Sequence, residues 1–297
     1  MSENFATLCR LSQDALKEYV ANSLNETHKS VVVGDGYVFA QGTFPVLLVA
    51  HLDTVHEELP YIIMYDKERD AIFSPTGIGG DDRCGVYMIL EIIRKYNCSV
   101  LFCEDEEIGG VGAREFANSE LSIGLKFNYI IEFDRMGSND AVFYQCDNPD
   151  FTSFITREFY NIAIGSFSDI SIVAPALGCA AVNLSCGYYN AHTTEEYVVM
   201  EEMNASINAA CKILERTTED DKFEYIESEY DYSDYYGGYG NLESYYIISY
   251  IGGKDQDHCE YYDTWALSKY EAIGRFLHDN PDITYNDVIE VYCDDTM

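Results

Sequence analysis

The sequence predicts an α/β fold: a three-layer sandwich with a mostly parallel central sheet flanked by helices. Three observations predict it. Apolar runs such as PVLLVA, SVLFC and AAVNL are continuous, as in strands that are buried on both faces. Segments with helical spacing separate these runs, as in repeated strand–helix units. The chain has 297 residues, of which 47% are hydrophobic, and this is enough for a sizeable core.

The predicted elements follow one another in the order that this fold requires. The first half contains a helix (4–24), strands (30–33, 37–40, 45–50), a hairpin (61–74), a helix (84–96) and a strand (99–103). The second half contains a short helix (110–119), strands (129–133, 141–144), a helix (150–160), a buried strand (180–184) and a long amphipathic helix (198–216). The Asp35-Gly36 pair between the first two strands is typical of a hairpin turn.

The composition changes after residue 218, which predicts three segments. Residues 1–218 form the main, catalytic domain. Residues 219–244 are acidic, rich in tyrosine and low in complexity, and we expect a linker or a surface loop. Residues 245–297 predict a small β-α-β appendage, with a strand at 245–251, a helix at 266–278 and a strand at 287–292. Units this small seldom fold alone, so we expect the appendage to dock on the main domain.

The charge balance excludes some classes of function. Lys and Arg total 18 against 52 Asp and Glu, a net charge of −34. Nucleic acids and anionic membranes both need a cationic protein surface, so we expect neither as a partner. No run of apolar residues is long enough for a membrane span, and the first twenty residues do not read as a secretory signal. The ten cysteines form no CxxC pair, which favours reduced thiols and a cytoplasmic location.

Histidines and acidic residues gather in five short motifs, most of them directly after a predicted strand. These motifs contain His51 and Asp53; Asp81 and Asp82; Glu104, Asp105, Glu106 and Glu107; Glu132 and Asp134; and His192 and Glu195. The carboxyl ends of parallel strands meet at one edge of a sheet, so these side chains should converge. Two histidines with several carboxylates suit zinc, with cobalt or manganese as substitutes, and a bridging carboxylate lets such a set hold two ions.

Each motif alone also has an ordinary explanation. An acidic run such as EDEE is commonly a solvated loop, and His192 could be a structural histidine. Asp134 could cap a helix or occupy a turn. Five such motifs in succession are hard to obtain by chance, so the combination favours a metal site.

The motifs HLDTV, GGDDRCG, CEDEEIGG, EFD and AHTTEEYV resemble, in this order, the metal motifs of the co-catalytic zinc exopeptidases. The resemblance runs from about residue 45 to residue 200. It implies two zinc ions that activate a water molecule, and usually a cis peptide bond between Asp81 and Asp82. By this resemblance, His51 and Asp134 would bind the first zinc ion, and Glu107 and His192 the second. Asp81 would bridge the two ions. Asp53 would orient His51, and Glu106 would be the general base.

Several residues near these motifs are not assigned one role in the site, because each has a second explanation or a stronger rival. Glu132 is the weaker rival of Asp134, because only Asp134 reaches the end of its strand. Arg83 and Arg135 follow metal motifs and could bind a substrate carboxylate or balance the surrounding acids. The segment with Ser166, Ser168 and Asp169 resembles a serine–aspartate loop near the site in single-domain aminopeptidases, or it is a helix cap. We expect Glu104 and Asp105 to shape their loop.

The spacing of the last motifs narrows the expected function. Only residues 135–191, 57 residues, separate Asp134 from His192, too few for the lid or dimerisation domain of the two-domain relatives. We therefore expect a zinc-dependent metallopeptidase of the single-domain aminopeptidase type, an exopeptidase acting on a short peptide or an amino-acid amide. The alternatives are an amidohydrolase or deacylase on a non-peptide amide, and a catalytically silent binding protein of the same fold. The sequence leaves carboxypeptidase action and the oligomeric state open.

Overall fold

Two units make up the chain in a computed structural model: a larger one containing residues 1–106 and 110–227, and a smaller one containing residues 107–109 and 228–297. The structure describes residues 3–157, 160–165, 167–226, 244–251, 259–266, 272, 275–276, 280, 283 and 288–294. None of the described helices combines the length and the apolar character that crossing a bilayer needs.

A central sheet of eight strands forms the middle layer of the larger unit. Its strands are β1 (Val31–Val33), β2 (Tyr37–Ala40), β3 (Phe44–His51), β6 (Cys98–Cys103), β7 (Tyr129–Arg135), β8 (Asp140–Val142), β9 (Asn161–Ala163) and β10 (Ala181–Ser185). They lie in the order β1-β2-β6-β3-β7-β10-β8-β9. The four central strands β6, β3, β7 and β10 are mutually parallel, so their carboxyl ends share one edge.

Helices cover both faces of this sheet. They are α1 (Glu3–Cys9), α2 (Gln13–Thr27), α3 (Gly80–Ile92), α4 (Val111–Asn118), α5 (Pro149–Thr156), α6 (Ile170–Leu177) and α7 (Met200–Arg216). Alternate residues of the central strands enter two separate apolar cores: Leu48 and Ala50 belong to one, and Leu47 and Val49 to the other. Because both faces are buried, the strands read as continuous apolar runs. The predicted three-layer α/β sandwich is confirmed.

A second, smaller sheet lies in the same unit and has the order β11-β12-β5-β4. Its strands are β4 (Met64–Asp66), β5 (Ala71–Phe73), β11 (Tyr188–Tyr189) and β12 (Tyr197–Val199). The antiparallel β4 and β5 form the hairpin expected within residues 61–74. Strands β11 and β12 are also antiparallel, and the chain between them carries His192.

The N-terminal helix differs from the sequence-based expectation. The periodicity over residues 4–24 predicts one helix, but the structure has two, α1 and α2, with Ser12 between them. The Ser12 hydroxyl accepts a hydrogen bond from the Ala15 backbone N–H at 3.3 Å, as a helix N-cap does. Both helices bury residues in the same core, so the apolar spacing continues across the break between them. The boundary between α1 and α2 is therefore not visible in the sequence.

The first part of the predicted linker, residues 219–244, contacts the larger unit. The larger unit extends to residue 227, and the first part of the segment 219–244 belongs to it. The Phe223 ring lies 5.1 Å from the ring of Phe154 and 5.2 Å from that of Phe151, and Glu224 forms a β-bridge with Cys179. Packing of the Phe223 ring and backbone hydrogen bonds thus hold residues whose composition is typical of a loop.

The small C-terminal unit contains a three-stranded antiparallel sheet of order β14-β13-β15. Its strands are β13 (Ser244–Ile251), β14 (Cys259–Ala266) and β15 (Val288–Asp294). The predicted β-α-β arrangement missed β14, because the sequence CEYYDTWA lacks a clean alternation of polar and apolar residues. Most of the predicted helix at 266–278 lies outside the described residues; its first residue, Ala266, belongs to β14, and Ala272 and Phe276 are helical and buried.

Candidate metal centre

The carboxyl edge of the central sheet gathers the predicted metal ligands. His51 is the last residue of β3, Asp134 lies near the end of β7, and Asp81 lies at the start of α3. Glu107 follows β6, and His192 lies between β11 and β12. Three groups of side chains offer ligand atoms that all lie within 4.8 Å of one another: His51, Asp81 and Asp134; Asp81, Glu107 and His192; and His51, Glu106 and Glu107.

The first group surrounds the Nε2 atom of His51. This atom lies 3.0 Å from Asp81 Oδ1 and 3.4 Å from Asp134 Oδ1. The histidine side chain is 1% exposed and each carboxylate 10%. One imidazole nitrogen and two carboxylate oxygens therefore converge on one buried point.

The second group uses the other oxygen of the same aspartate. The Nε2 atom of His192 lies 3.2 Å from Asp81 Oδ2, and the histidine side chain is 32% exposed. His192 has a left-handed backbone, with φ at 64°. The second group is thus more open to solvent than the first, and Asp81 belongs to both. The peptide bond between Asp81 and Asp82 is cis, as the resemblance implies.

Asp53 links the first histidine to the predicted general base. Its Oδ1 atom lies 3.1 Å from His51 Nδ1 and accepts a hydrogen bond from the backbone N–H of Glu106 at 3.0 Å. A carboxylate at Nδ1 leaves Nε2 directed towards the ligand cluster, as carboxylates beside metal-binding histidines do. The same side chain therefore orients His51 and fixes the backbone at Glu106.

The buried charges perturb one another strongly. Burial and the neighbouring Asp81 carboxylate together raise the pKa of Asp134 to about 6, although His51 acts to lower it. Burial also acts to raise the pKa of Asp81, but hydrogen bonds from His192 and His51 outweigh it and lower the pKa. For His51, burial acts to lower the pKa, while the carboxylates of Asp53 and Asp134 raise it well above its usual value.

This donor set fits divalent metal ions. Burial and the carboxylate of Asp134 raise the pKa of Asp82, and burial with Asp134 and Asp169 does the same for Glu132. Carboxylates crowded in this way are stabilised by a cation among them. Imidazole nitrogen and carboxylate oxygen are ligands that zinc accepts, and the sharing of Asp81 suits two neighbouring ions.

Glu196, rather than the predicted Glu195, is the acidic residue of the last motif that supports the site. Glu195 is exposed, whereas Glu196 is 0% exposed. The Glu196 carboxylate accepts hydrogen bonds from the backbone N–H groups of Gly79 and Asp81 at 2.8 and 2.9 Å, and His56 Nε2 lies 2.8 Å away. The sequence signal for Glu196 was strand alternation. Glu196 lies two residues before the buried Val198, so both side chains point to the same face of the chain.

Two further residues around Asp134 were missed by the sequence analysis. Asn183 Oδ1 accepts a hydrogen bond from the Asp134 backbone N–H at 2.8 Å, and the Tyr188 hydroxyl donates one to Asp134 Oδ1 at 3.3 Å. The sequence does contain a sign of Asn183: a polar amide side chain within the otherwise apolar strand AAVNLS, where it needs a hydrogen-bond partner. Glu132 is fully buried, and the Ser168 hydroxyl donates to it; among the described residues Glu132 belongs to none of the three ligand groups.

The two arginines next to metal motifs are engaged within the protein. Arg83 is 1% exposed and donates to the backbone carbonyls of Leu52 and Asp53 at 2.8 and 2.6 Å. Arg135 donates to Asp140 at 3.2 Å from Nη2. The geometry therefore favours the interpretation that these arginines balance and brace acidic segments rather than bind substrate.

Asp169 lies at the N-cap position of α6, but its side chain makes no capping hydrogen bond. It is fully buried, and burial raises its pKa to about 7. Its Ser168 neighbour donates to Glu132, so this segment contacts the acidic region behind Asp134. Ser166 lies outside the described residues.

Comparisons of the sequence with known proteins find a matching family model and a distant relative. A model of peptidase family M28 matches residues 38–169. A protein of Emericella nidulans named as a probable carboxypeptidase is 27% identical over 157 residues, which cover 50% of this chain and 31% of that protein. The chain thus spans about a third of the length of this curated relative.

Solved structures show the same fold. The structure of aminopeptidase PepT from Bacillus cereus matches with a TM-score of 0.59 and 14% identity, covering 71% of this chain and 96% of that one. An aminopeptidase from the archaeon Desulfurococcus kamchatkensis matches with a TM-score of 0.56 and 16% identity, covering 73% and 94%. The family model thus matches the region that carries four of the five metal motifs, and the two solved structures share the fold.

The buried Asp169 predicts a pH dependence of stability. The pKa of Asp169 in the folded protein is about 7, above the value of about 3.9 in an unfolded chain, so the folded state binds the extra proton. As the pH rises from about 4 to about 7, the free energy of unfolding of the wild type should fall relative to that of Asp169→Asn. The change expected from this shift is on the order of 4 kcal/mol.

Urea denaturation of both proteins across this pH range measures the difference. Glu120→Gln, which replaces an exposed carboxylate, is the control variant. A difference between wild type and Asp169→Asn that stays constant with pH would contradict the assigned shift.

Proposed function

We propose that this chain is a dinuclear zinc hydrolase that cleaves the terminal peptide or amide bond of a short substrate, acting as an aminopeptidase. One observation carries the proposal: Asp81 presents one oxygen to His51 at 3.0 Å and the other to His192 at 3.2 Å, between two groups of ligands. A bridging carboxylate in this position is what a pair of metal ions requires. His51 and Asp134 would hold one ion, and Glu107 and His192 the other.

The residues of the chain divide the chemistry between them. Zinc ions bound in such a site lower the pKa of water and polarise a substrate carbonyl. Glu106 lies in the ligand cluster with His51 and Glu107, so its carboxylate would be next to a water molecule held by the ions. Its carboxylate takes the proton from this water and returns it to the leaving amine. Asp53 keeps Glu106 in place through the backbone hydrogen bond and orients His51.

Charge around the site favours a substrate with a free amino group. Arg83 is buried and engaged with backbone carbonyls, and Arg135 is paired with Asp140. The ions would neutralise the carboxylates that hold them, but Asp53 and Glu106 are not assigned as ligands. Their negative charge attracts an α-ammonium group and repels an α-carboxylate. This charge distribution supports aminopeptidase action over the carboxypeptidase action named for the Emericella nidulans relative.

Replacing the proposed base tests the mechanism. Glu106→Gln keeps the size of the side chain but cannot take up a proton, so kcat should fall by at least about 100-fold. Zinc content, measured by atomic emission, should remain that of the wild type. Glu120→Gln on the exposed surface is the matched control and should retain wild-type kcat. Retained turnover in a zinc-replete Glu106→Gln protein would refute the assignment.

A substrate panel tests the specificity. We expect zinc-loaded protein to hydrolyse di- and tripeptides and amino-acid amides with a free amino group, and N-acetylation of the same compounds should reduce kcat/KM by at least about tenfold. The assay is detection of released amino acids. Preference for N-blocked peptides with a free carboxylate would indicate a carboxypeptidase, and preference for N-acyl compounds a deacylase. Zinc binding without hydrolysis of any of these would indicate a binding protein.

A further inference from the structure

The segment between α1 and the middle of α2 contacts both loops that carry the proposed catalytic residues. The backbone carbonyl of Leu11 accepts from Arg83 at 3.1 Å, and Arg83 also donates to the carbonyl of Asp53. The Gln13 side-chain amide donates to Asp105 Oδ1 at 3.0 Å. Lys17 pairs with Glu104 at 2.5 Å. These N-terminal residues lie outside the segment that the family model matches.

The loop that receives Gln13 and Lys17 immediately precedes the proposed base. Asp105, between Glu104 and Glu106, has a left-handed backbone with φ at 58°, which is uncommon for a residue other than glycine. Its carbonyl accepts from the backbone N–H of Val111 at 3.1 Å. The direction in which the chain enters Glu106 therefore depends on how the two preceding side chains are held.

Lys17 and Gln13 are placed to hold them. The lysine side chain is 19% exposed and the Glu104 side chain 10%, so water screens this ion pair less than a surface pair. Lys17 also donates to the carbonyl of Gly34 at 3.1 Å, and the backbone N–H of Glu104 donates to the carbonyl of Gly36. The helix, the β1–β2 turn and the loop thus form one connected polar network.

We propose that Gln13 and Lys17 are positioning residues for the general base: by fixing Asp105 and Glu104 they set the backbone from which the Glu106 carboxylate reaches the reacting water. This inference rests on the proposed function. Neither side chain needs to contact the substrate or a metal ligand. Asp53 accepts from the backbone N–H of Glu106, so it fixes the same peptide unit that joins Asp105 to Glu106.

The test compares Gln13→Ala, Lys17→Met and the double variant with Glu18→Gln, an exposed residue of the same helix, as control. In zinc-loaded protein we expect kcat to fall about tenfold in the double variant, while KM changes less than about twofold and zinc content stays constant. A merely structural role would lower the melting temperature without this selective loss of kcat. Unchanged kcat in the double variant overturns the proposal.

A cycle of variants tests the Gln13 contact by itself. Asp105→Ala should lose as much kcat as Gln13→Ala, and combining the two should cost no more than either alone. Asp105→Asn keeps the acceptor oxygen and tolerates a left-handed backbone, so it should recover most of the loss in Asp105→Ala. Additive losses in the combined variant would overturn the assignment, and single variants keep the test valid where the double variant does not fold.

Hydrogen exchange gives a second measurement that does not depend on turnover. Amide exchange at Glu106 and Val111 should accelerate in Gln13→Ala and Lys17→Met, because these amides donate to Asp53 and Asp105 within the positioned loop. Exchange in β10 should stay unchanged. Unaltered exchange at Glu106 and Val111 overturns the proposal. If the wild type hydrolyses no amide, the proposed function fails, and the exchange result still decides whether these side chains fix the loop.

Discussion

Both oxygens of the Asp81 carboxylate face a histidine nitrogen, and the arrangement of the site depends on this sharing. A buried carboxylate between two imidazoles brings together the end of β3 and the loop between β11 and β12, which come from different sheets. Burial raises the pKa values of Glu132 and Asp134, and neighbouring ionised carboxylates raise them as well. Cations bound among these carboxylates would remove the repulsion, because each carboxylate is attracted to them.

A layer of polar contacts holds the ligands in place from behind. Glu196 binds the backbone on either side of Gly80, Asp53 binds His51 and the backbone of Glu106, and Asn183 binds the backbone of Asp134. Each of these side chains is buried, and in buried surroundings hydrogen bonds are strong and unpaired polar groups are costly. The apolar cores thus fix the strands, and the polar layer fixes the ligands on them.

The sequence predicted the sandwich and the convergence of the five motifs because both follow from local patterns. Continuous apolar runs identify buried strands, and parallel strands bring their ends together. The sequence analysis named Glu195 instead of Glu196, because the two acids are adjacent and differ only in the face of the chain on which their side chains lie. The contacts of Gln13 and Lys17 could not be predicted, since their partners lie about 90 residues away. The strand β14 was missed because its aromatic residues do not alternate with polar ones.

The most direct test of the shared aspartate is a crystal structure of the zinc-loaded protein with anomalous scattering at the zinc edge. Two zinc peaks are predicted, roughly 3.5–4 Å apart, as in other two-metal sites, with one Asp81 oxygen on each ion. His51 and Asp134 should complete the first ion, and Glu107 and His192 the second. A single peak, or two ions that do not both contact Asp81, would contradict the dinuclear centre on which the proposed chemistry rests.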